Sequence, residues 1–155
     1  MILNRSWINI IVNMSKLTYN KILAKLGRLD GYTKYLTDIQ KVNKRAFVAD
    51  YHFYGLAERY LQLSIEILLD IGKLAILSEN LRKPEDNQDI FAVLYENKMI
   101  PKKLLERLIG IANFRNILVH DYEKIDREIV YQKLQKNLND FKAFKKEILR
   151  FLKKR

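Results

Sequence analysis

The sequence predicts an all-α fold, an antiparallel up-and-down bundle of four long helices and one short helix, and three observations predict it. Apolar residues recur at spacings of three and four through most of the chain, as on a helix with one buried face. Glycine and proline, which interrupt such runs, number only five and two in 155 residues. No segment carries the polar and apolar alternation of a half-buried strand.

The first helix is expected from Ser15, a suitable N-cap, through Leu17, Ile22, Leu26, Leu29, Leu36, Ile39 and Val42. Gly27 and Gly31 either weaken it or admit a close neighbour. A second helix, from about Ala49 to Leu77, is apolar over more of its circumference, with Leu56, Tyr60, Leu63, Ile65, Ile67, Leu68, Ile71 and Leu74. That predicts the central position in the bundle. Glu58, Arg59, Gln62 and Glu66 stand out on it, and charges in such surroundings face a cleft, an interface or solvent.

The segment from Ser78 to Asp89, with Pro84 and a polar run, reads as a loop, and a short helix follows from Asp89 to Asn97. Pro101 is expected in the first turn of the third long helix, where its missing N–H is no loss, and Leu104, Leu105, Leu108, Ile109 and Ala112 form that helix's apolar face. Asp126 is expected to cap the last helix, which runs through Val130, Leu134, Leu138, Phe141, Phe144, Ile148 and Leu149.

Residues 14–155 therefore read as one helical domain. Residues 1–13 read as an N-terminal extension or a mis-assigned start. Their apolar run is broken by Asn9, carries only Arg5 as a positive flank, and is too short to span a bilayer.

Composition narrows the chemistry. The chain has no cysteine, which excludes disulfide scaffolds, cysteine-based zinc sites and thiol catalysis and suits a reducing cytoplasm. His52 and His120 are the only histidines, too few for a three-histidine metal site on one chain. A net charge of +11 points to a polyanionic partner, nucleic acid above all. Lys142, Lys145, Lys146, Arg150, Lys153, Lys154 and Arg155 concentrate that charge at the C-terminus, as a phosphate-tracking surface or as a solvated helix end.

The chemical candidates cluster at the end of the third long helix, in Asn113-Phe114-Arg115-Asn116-Ile117-Leu118-Val119-His120-Asp121-Tyr122. Asn113, Asn116 and His120 share one helical stripe, and Arg115, Val119 and Tyr122 share another. Arg115 and His120 lie five residues apart, so they diverge by about 140° on a regular helix of ~3.6 residues per turn. Their convergence requires a long reach by Arg115, a loosened helix end, or a second protomer.

Imidazole exchanges protons near neutral pH, so His120 is the acid/base candidate. Arg115 suits a phosphate gaining charge, and Asn116, one turn before His120, could fix the imidazole tautomer. These groups suffice for attack by an RNA 2′-hydroxyl on the adjacent phosphate. The same residue types also cap helix ends and anchor bundle corners. His52, in Tyr51-His52-Phe53-Tyr54, reads as a partly buried packing residue.

Arg115-x4-His120-x-Tyr122 is similar to the Arg-x4-His-x-Tyr motif of HepT toxins, a branch of the HEPN superfamily. The resemblance extends to Ala57–Glu66, the turn at Ile125-Asp126 and the Lys-rich last helix, and so covers about Met14 to Arg155. It implies the toxin of a type VII toxin–antitoxin system, a cytoplasmic, metal-independent endoribonuclease that needs no cofactor and acts as a homodimer with both motifs in a shared cleft.

It also implies an MntA-like nucleotidyltransferase antitoxin that transfers AMP from ATP to the motif tyrosine. Arg115 and His120 would then be catalytic, Asn116 supporting, Tyr122 the AMPylation target, and Glu58, Arg59 and Glu66 cleft-lining. The alternative is a non-catalytic HEPN module that binds nucleotide or docks the nucleotidyltransferase.

Overall fold

The computed structural model describes residues 4–121, 123 and 125–154, with the side chains at positions 7 and 10–14 outside that description. Six helices follow one another: α1 (Arg5–Gln40), α2 (Lys44–Ala49), α3 (Tyr51–Ser78), α4 (Asn87–Glu96), α5 (Lys102–His120) and α6 (Arg127–Lys153). Among the described residues there is no strand, and no helix is long and apolar enough to cross a membrane. The four long helices form the expected antiparallel bundle. Beside the expected short helix α4, the structure adds a second, α2.

Cross-helix pairs give the directions. Lys25–Asp70 at 3.1 Å and the stacked rings of Tyr35 and Tyr60 run α1 antiparallel to α3. Lys145–Asp30 at 2.7 Å and the reciprocal side-chain to carbonyl bonds of Gln40 and Gln135 run α1 antiparallel to α6. Arg115 beside Glu66, and Leu118 further along beside Glu58 and Gln62, run α5 antiparallel to α3. The C-terminus of α5 therefore meets the N-terminal turns of α3 and α6 at one end of the bundle.

α1 begins at Arg5 and passes through Ser15, so Ser15 is a helix-interior residue and not an N-cap. Burial follows the expected stripe only from Ile22 through Leu26, Leu29, Leu36 and Ile39, while Leu17 stays 55% exposed. The reason is length: Tyr19 and Ile22 already lie beside Phe151 and Leu152 at the end of α6, and the earlier turns of α1 overhang it. Gly27 and Gly31 face open space, since a Cβ at either would meet nothing within 4 Å. The close approach is instead at Gly72 of α3, where a Cβ would lie 2.5 Å from the Ile90 Cγ2 of α4.

Helix α2 is built from its ends inward. The Asn43 side chain accepts the Ala46 N–H at 2.9 Å, and Phe47 is fully buried. Asp50 adopts an extended conformation, φ −122° and ψ 116°, that ends α2 and caps α3 through a 2.9 Å bond from the His52 N–H. That break moves the start of α3 from the expected Ala49 to Tyr51. His52 is exposed, not a packing residue, and its Nδ1 lies 2.8 Å from Asp50.

α3 occupies the expected central position, with Leu61, Ile65, Leu68 and Ile71 inaccessible, although Leu56 is 47% exposed. It ends at Ser78, and beyond the cap Glu79 the chain turns off at Asn80, whose φ of 53° is tolerated by a short polar side chain, with the Leu81 N–H bonded back to the Ile76 carbonyl. Pro101 lies one residue outside α5 as its N-cap. Asp126 caps α6 as expected, accepting the Glu128 N–H at 2.8 Å.

Candidate active site

Arg115 is placed by its neighbours on α5. Ile111, Phe114 and Leu118 are buried in the core, which turns the arginine toward α3. Its Nη2 lies 3.4 Å from Oε1 of Glu66, and the same oxygen accepts from Gln62 at 3.1 Å. Nη1 lies 3.5 Å from Oδ1 of Asn116, and Nε is buried without a hydrogen-bond partner. Charge-assisted bonds of this kind settle at roughly 2.7–2.9 Å, so the guanidinium is held loosely with donors in reserve.

Beside it opens a groove of about 240 Å³ lined by Glu66, Leu69, Asp70, Lys73, Asn87 and Arg115. Lys25 already occupies Asp70. An anion in this groove meets Arg115 and Lys73.

A second groove, about 370 Å³, follows toward the end of the bundle and holds Tyr54, Glu58, Arg59, Gln62, Leu118 and Arg127 among its walls. Burial pushes the Glu58 carboxyl above its ordinary range, and the nearby Arg127 charge only partly opposes this. Arg127 lies 4.0 Å over the Tyr54 ring and donates to the Val48 carbonyl at 3.1 Å. Gln62 joins the two grooves, forming a wall of one while bonding Glu66 in the other.

The expected cleft residues are thus divided. Glu66 contacts Arg115, whereas Glu58 and the exposed Arg59 line the neighbouring groove. His120 is exposed as the last residue of α5 and lines neither groove. α5 is helical through His120, so the loosened end is not observed, and the two motif residues diverge by about 140°. The Asn116 carboxamide sits by Arg115, and among the described residues it makes no bond to His120. Tyr122 lies outside the described residues.

Sequence reasoning passed over Lys73 and Arg127. Lys73 continues the polar stripe of Gln62 and Glu66 at helical spacing, so the stripe could have been extended to it. Arg127 directly follows the recognised cap Asp126, but nothing in its spacing brings it to Tyr54.

Exposed apolar side chains gather at this end of the bundle: Tyr51 at 65%, Leu56 at 47%, Ile117 at 40% and Ile129 at 45%. Ile117 shares its exposed helix end with Asn116 and His120.

The chain is similar to the mRNA nuclease HepT of Shewanella oneidensis, 33% identical over 84 residues that span 54% of this chain and 63% of that protein. It is also similar to the tRNA nuclease HepT of Aphanizomenon flos-aquae, 21% identical over 131 residues, 84% of this chain and 89% of the relative. Among solved structures, a tri-AMPylated Shewanella oneidensis HEPN toxin in complex with its MNT antitoxin superimposes with a TM-score of 0.77 at 26% identity. That match covers 83% of this chain and 96% of the toxin. The family model described as ribonuclease HepT-like matches residues 22–148, a span that includes both grooves and the whole motif. The chain belongs to the HepT-like family.

Proposed function

We propose that the chain is the toxin of a toxin–antitoxin pair, a metal-independent endoribonuclease whose site forms between two copies of it. The observation that carries this reading is Arg115, loosely held at the edge of a groove with Nε unpartnered, on the same regular helix as an exposed His120 that points elsewhere. In a twofold dimer, Arg115 of one protomer faces the partner's His120, and the divergence becomes a means of building two equivalent sites. Ile117 and the other exposed apolar residues supply a face for the second copy.

An RNA phosphate enters the groove and displaces Glu66 from Arg115. A basic group, the imidazole of His120, removes the 2′-hydroxyl proton as that oxygen bonds to phosphorus. The bond from phosphorus to the 5′-oxygen breaks, and this oxygen takes up the proton that the imidazole has accepted. The products are a 2′,3′-cyclic phosphate and a free 5′-hydroxyl. Arg115 neutralises the charge that builds on the phosphoryl oxygens in between, and every proton is carried by chain and substrate, so no metal is needed.

Control follows from the same motif. The Tyr122 hydroxyl attacks the α-phosphorus of ATP bound to a nucleotidyltransferase antitoxin, forming a P–O bond, releasing pyrophosphate and passing its proton to a base on that enzyme. The AMP adds bulk and negative charge two residues after His120 and so competes with the RNA phosphate. The similarity to an AMPylated toxin held by its antitoxin supports this reading.

The test is cleavage of purified RNA in excess EDTA with chemical analysis of the new ends. Wild-type protein gives 2′,3′-cyclic phosphate and 5′-hydroxyl ends, while Arg115→Ala and His120→Ala give none. Incubation with ATP and the partner raises the mass by whole AMP units, and Tyr122→Phe prevents it. Cleavage abolished by EDTA, or undiminished in His120→Ala, overturns the proposal.

A further inference from the structure

On the seam opposite the active site, α1 and α6 enclose a groove of about 630 Å³, the most voluminous described here. Its walls carry Lys142, Lys145, Lys146, Arg150 and Lys153, and the half-buried Leu149 forms its apolar floor. Acidic neighbours offset only part of this charge: Asp30 binds Lys145 through both carboxylate oxygens, and Glu147 pairs with Arg150. Among the described residues Lys142, Lys146 and Lys153 form no ion pair, and all three are exposed. With Leu149 they fall at spacings of four, three and four, one face of α6, so three ammonium groups line up along about 16 Å at ~1.5 Å per residue.

We infer that this lysine-lined groove between α1 and α6 is a second RNA-binding surface, holding the phosphate backbone of the substrate far from the cleaved bond. The inference rests on the ribonuclease reading above. Protein interfaces are depleted in lysine and enriched in arginine and aromatic residues at their centres. This groove has the reverse composition. Lysine ammonium groups are mobile, hydrated point charges that track a phosphate chain without reading its sequence.

Position decides which RNA profits. Lys133 lies over Phe114, so the level of Arg115 on α6 is near residue 133, and the groove begins at Lys142 on the far side of the bundle. It extends from about 14 Å to about 30 Å along the axis at ~1.5 Å per residue. At ~3.4 Å per nucleotide in a helical strand, the axial offset alone takes about four to nine nucleotides and the path round the bundle adds to this, so an RNA that occupies both places is longer than about ten nucleotides. A tetranucleotide reaches only the active site.

The experiment compares wild-type protein with the triple variant Lys142→Gln, Lys146→Gln, Lys153→Gln. A control triple variant, Lys83→Gln, Lys102→Gln, Lys103→Gln, makes the same change in net charge elsewhere. Binding is measured in a His120→Ala background against a structured RNA several tens of nucleotides long, across a range of NaCl. Loss of three phosphate contacts at roughly 0.7 counterions each lowers the slope of log K against log salt by about two, or roughly a hundredfold in affinity at 0.1 M salt.

With His120 intact, the groove variant shows a raised KM on the long RNA, an unchanged kcat, and unchanged cleavage of a tetranucleotide. An unaltered salt slope overturns the inference, as does an equal loss in the control variant. Loss of antitoxin binding with RNA affinity intact also overturns it, because the groove is then a protein-docking surface. Groove-dependent RNA binding by a wild-type protein that cuts no RNA upholds this inference and rejects the ribonuclease reading.

Discussion

Arg115 separates a structural role from a chemical one, and replacing it with methionine makes the difference measurable. Its ion pair with Glu66 spans 3.4 Å between side chains that remain 22% and 34% exposed. A pair so long and so accessible to water stabilises by at most about 1 kcal/mol. Methionine keeps an unbranched apolar stem against the helix surface, removes the unpartnered Nε, and leaves Glu66 its bond from Gln62.

The expected stability change is therefore within about 1 kcal/mol, or roughly 2–4 °C in Tm for a domain of this size. Loss of a donor aimed at developing charge lowers catalysis by about 10²–10³-fold. Thermal unfolding in parallel with initial rates on end-labelled RNA reads both quantities from one preparation. A Tm lowered by 10 °C or more, or cleavage within tenfold of wild type, refutes the reasoning.

Glu58→Gln tests the half-buried carboxyl near Arg127. Because the folded-state pKa lies above the ordinary 4.5, folding takes up a proton between these values, and stability from this group is lost as pH rises through that window. The variant is thus more stable than wild type near neutrality, and the gain fades as pH falls through that window toward 4.5; a Tm difference independent of pH contradicts the assignment. Gly72→Ala and Gly110→Ala form a matched pair, since both gain helix propensity but only position 72 places a Cβ 2.5 Å from Ile90. Overpacking of about 1–3 kcal/mol makes Gly72→Ala less stable than Gly110→Ala, and equal denaturation midpoints contradict the close approach.

The long helices were legible because each carries enough turns to repeat its pattern. Ile22, Leu26, Leu29, Leu36 and Ile39 are buried as their spacing required, and so are Val130, Leu134, Leu138, Phe141, Phe144 and Ile148. α2 escaped because six residues hold fewer than two turns, although Asn43 and Phe47 carry its cap and its anchor. Ser15 misled because a capping preference does not stop a helix that continues through it. The glycine with a close neighbour is Gly72, and nothing local distinguishes it from Gly27 or Gly31; only the approach of α4 does.

In the site, the divergence of Arg115 and His120 along one helix was readable from their spacing. The contact between Arg115 and Glu66 joins residues 49 positions apart, and the stacking of Arg127 on Tyr54 also depends on how helices pack. Neither has a local signature.

The central claim is that an Arg115 and a His120 from different protomers make one RNA-cleaving site. It is tested most directly by an obligate heterodimer of an Arg115→Ala chain and a His120→Ala chain, purified through two different tags. Both homodimers are expected to be inactive and the heterodimer to regain about half of the wild-type rate, since twofold symmetry leaves one intact site of two. A heterodimer as inactive as its parents contradicts the claim, and places both residues' work within a single chain.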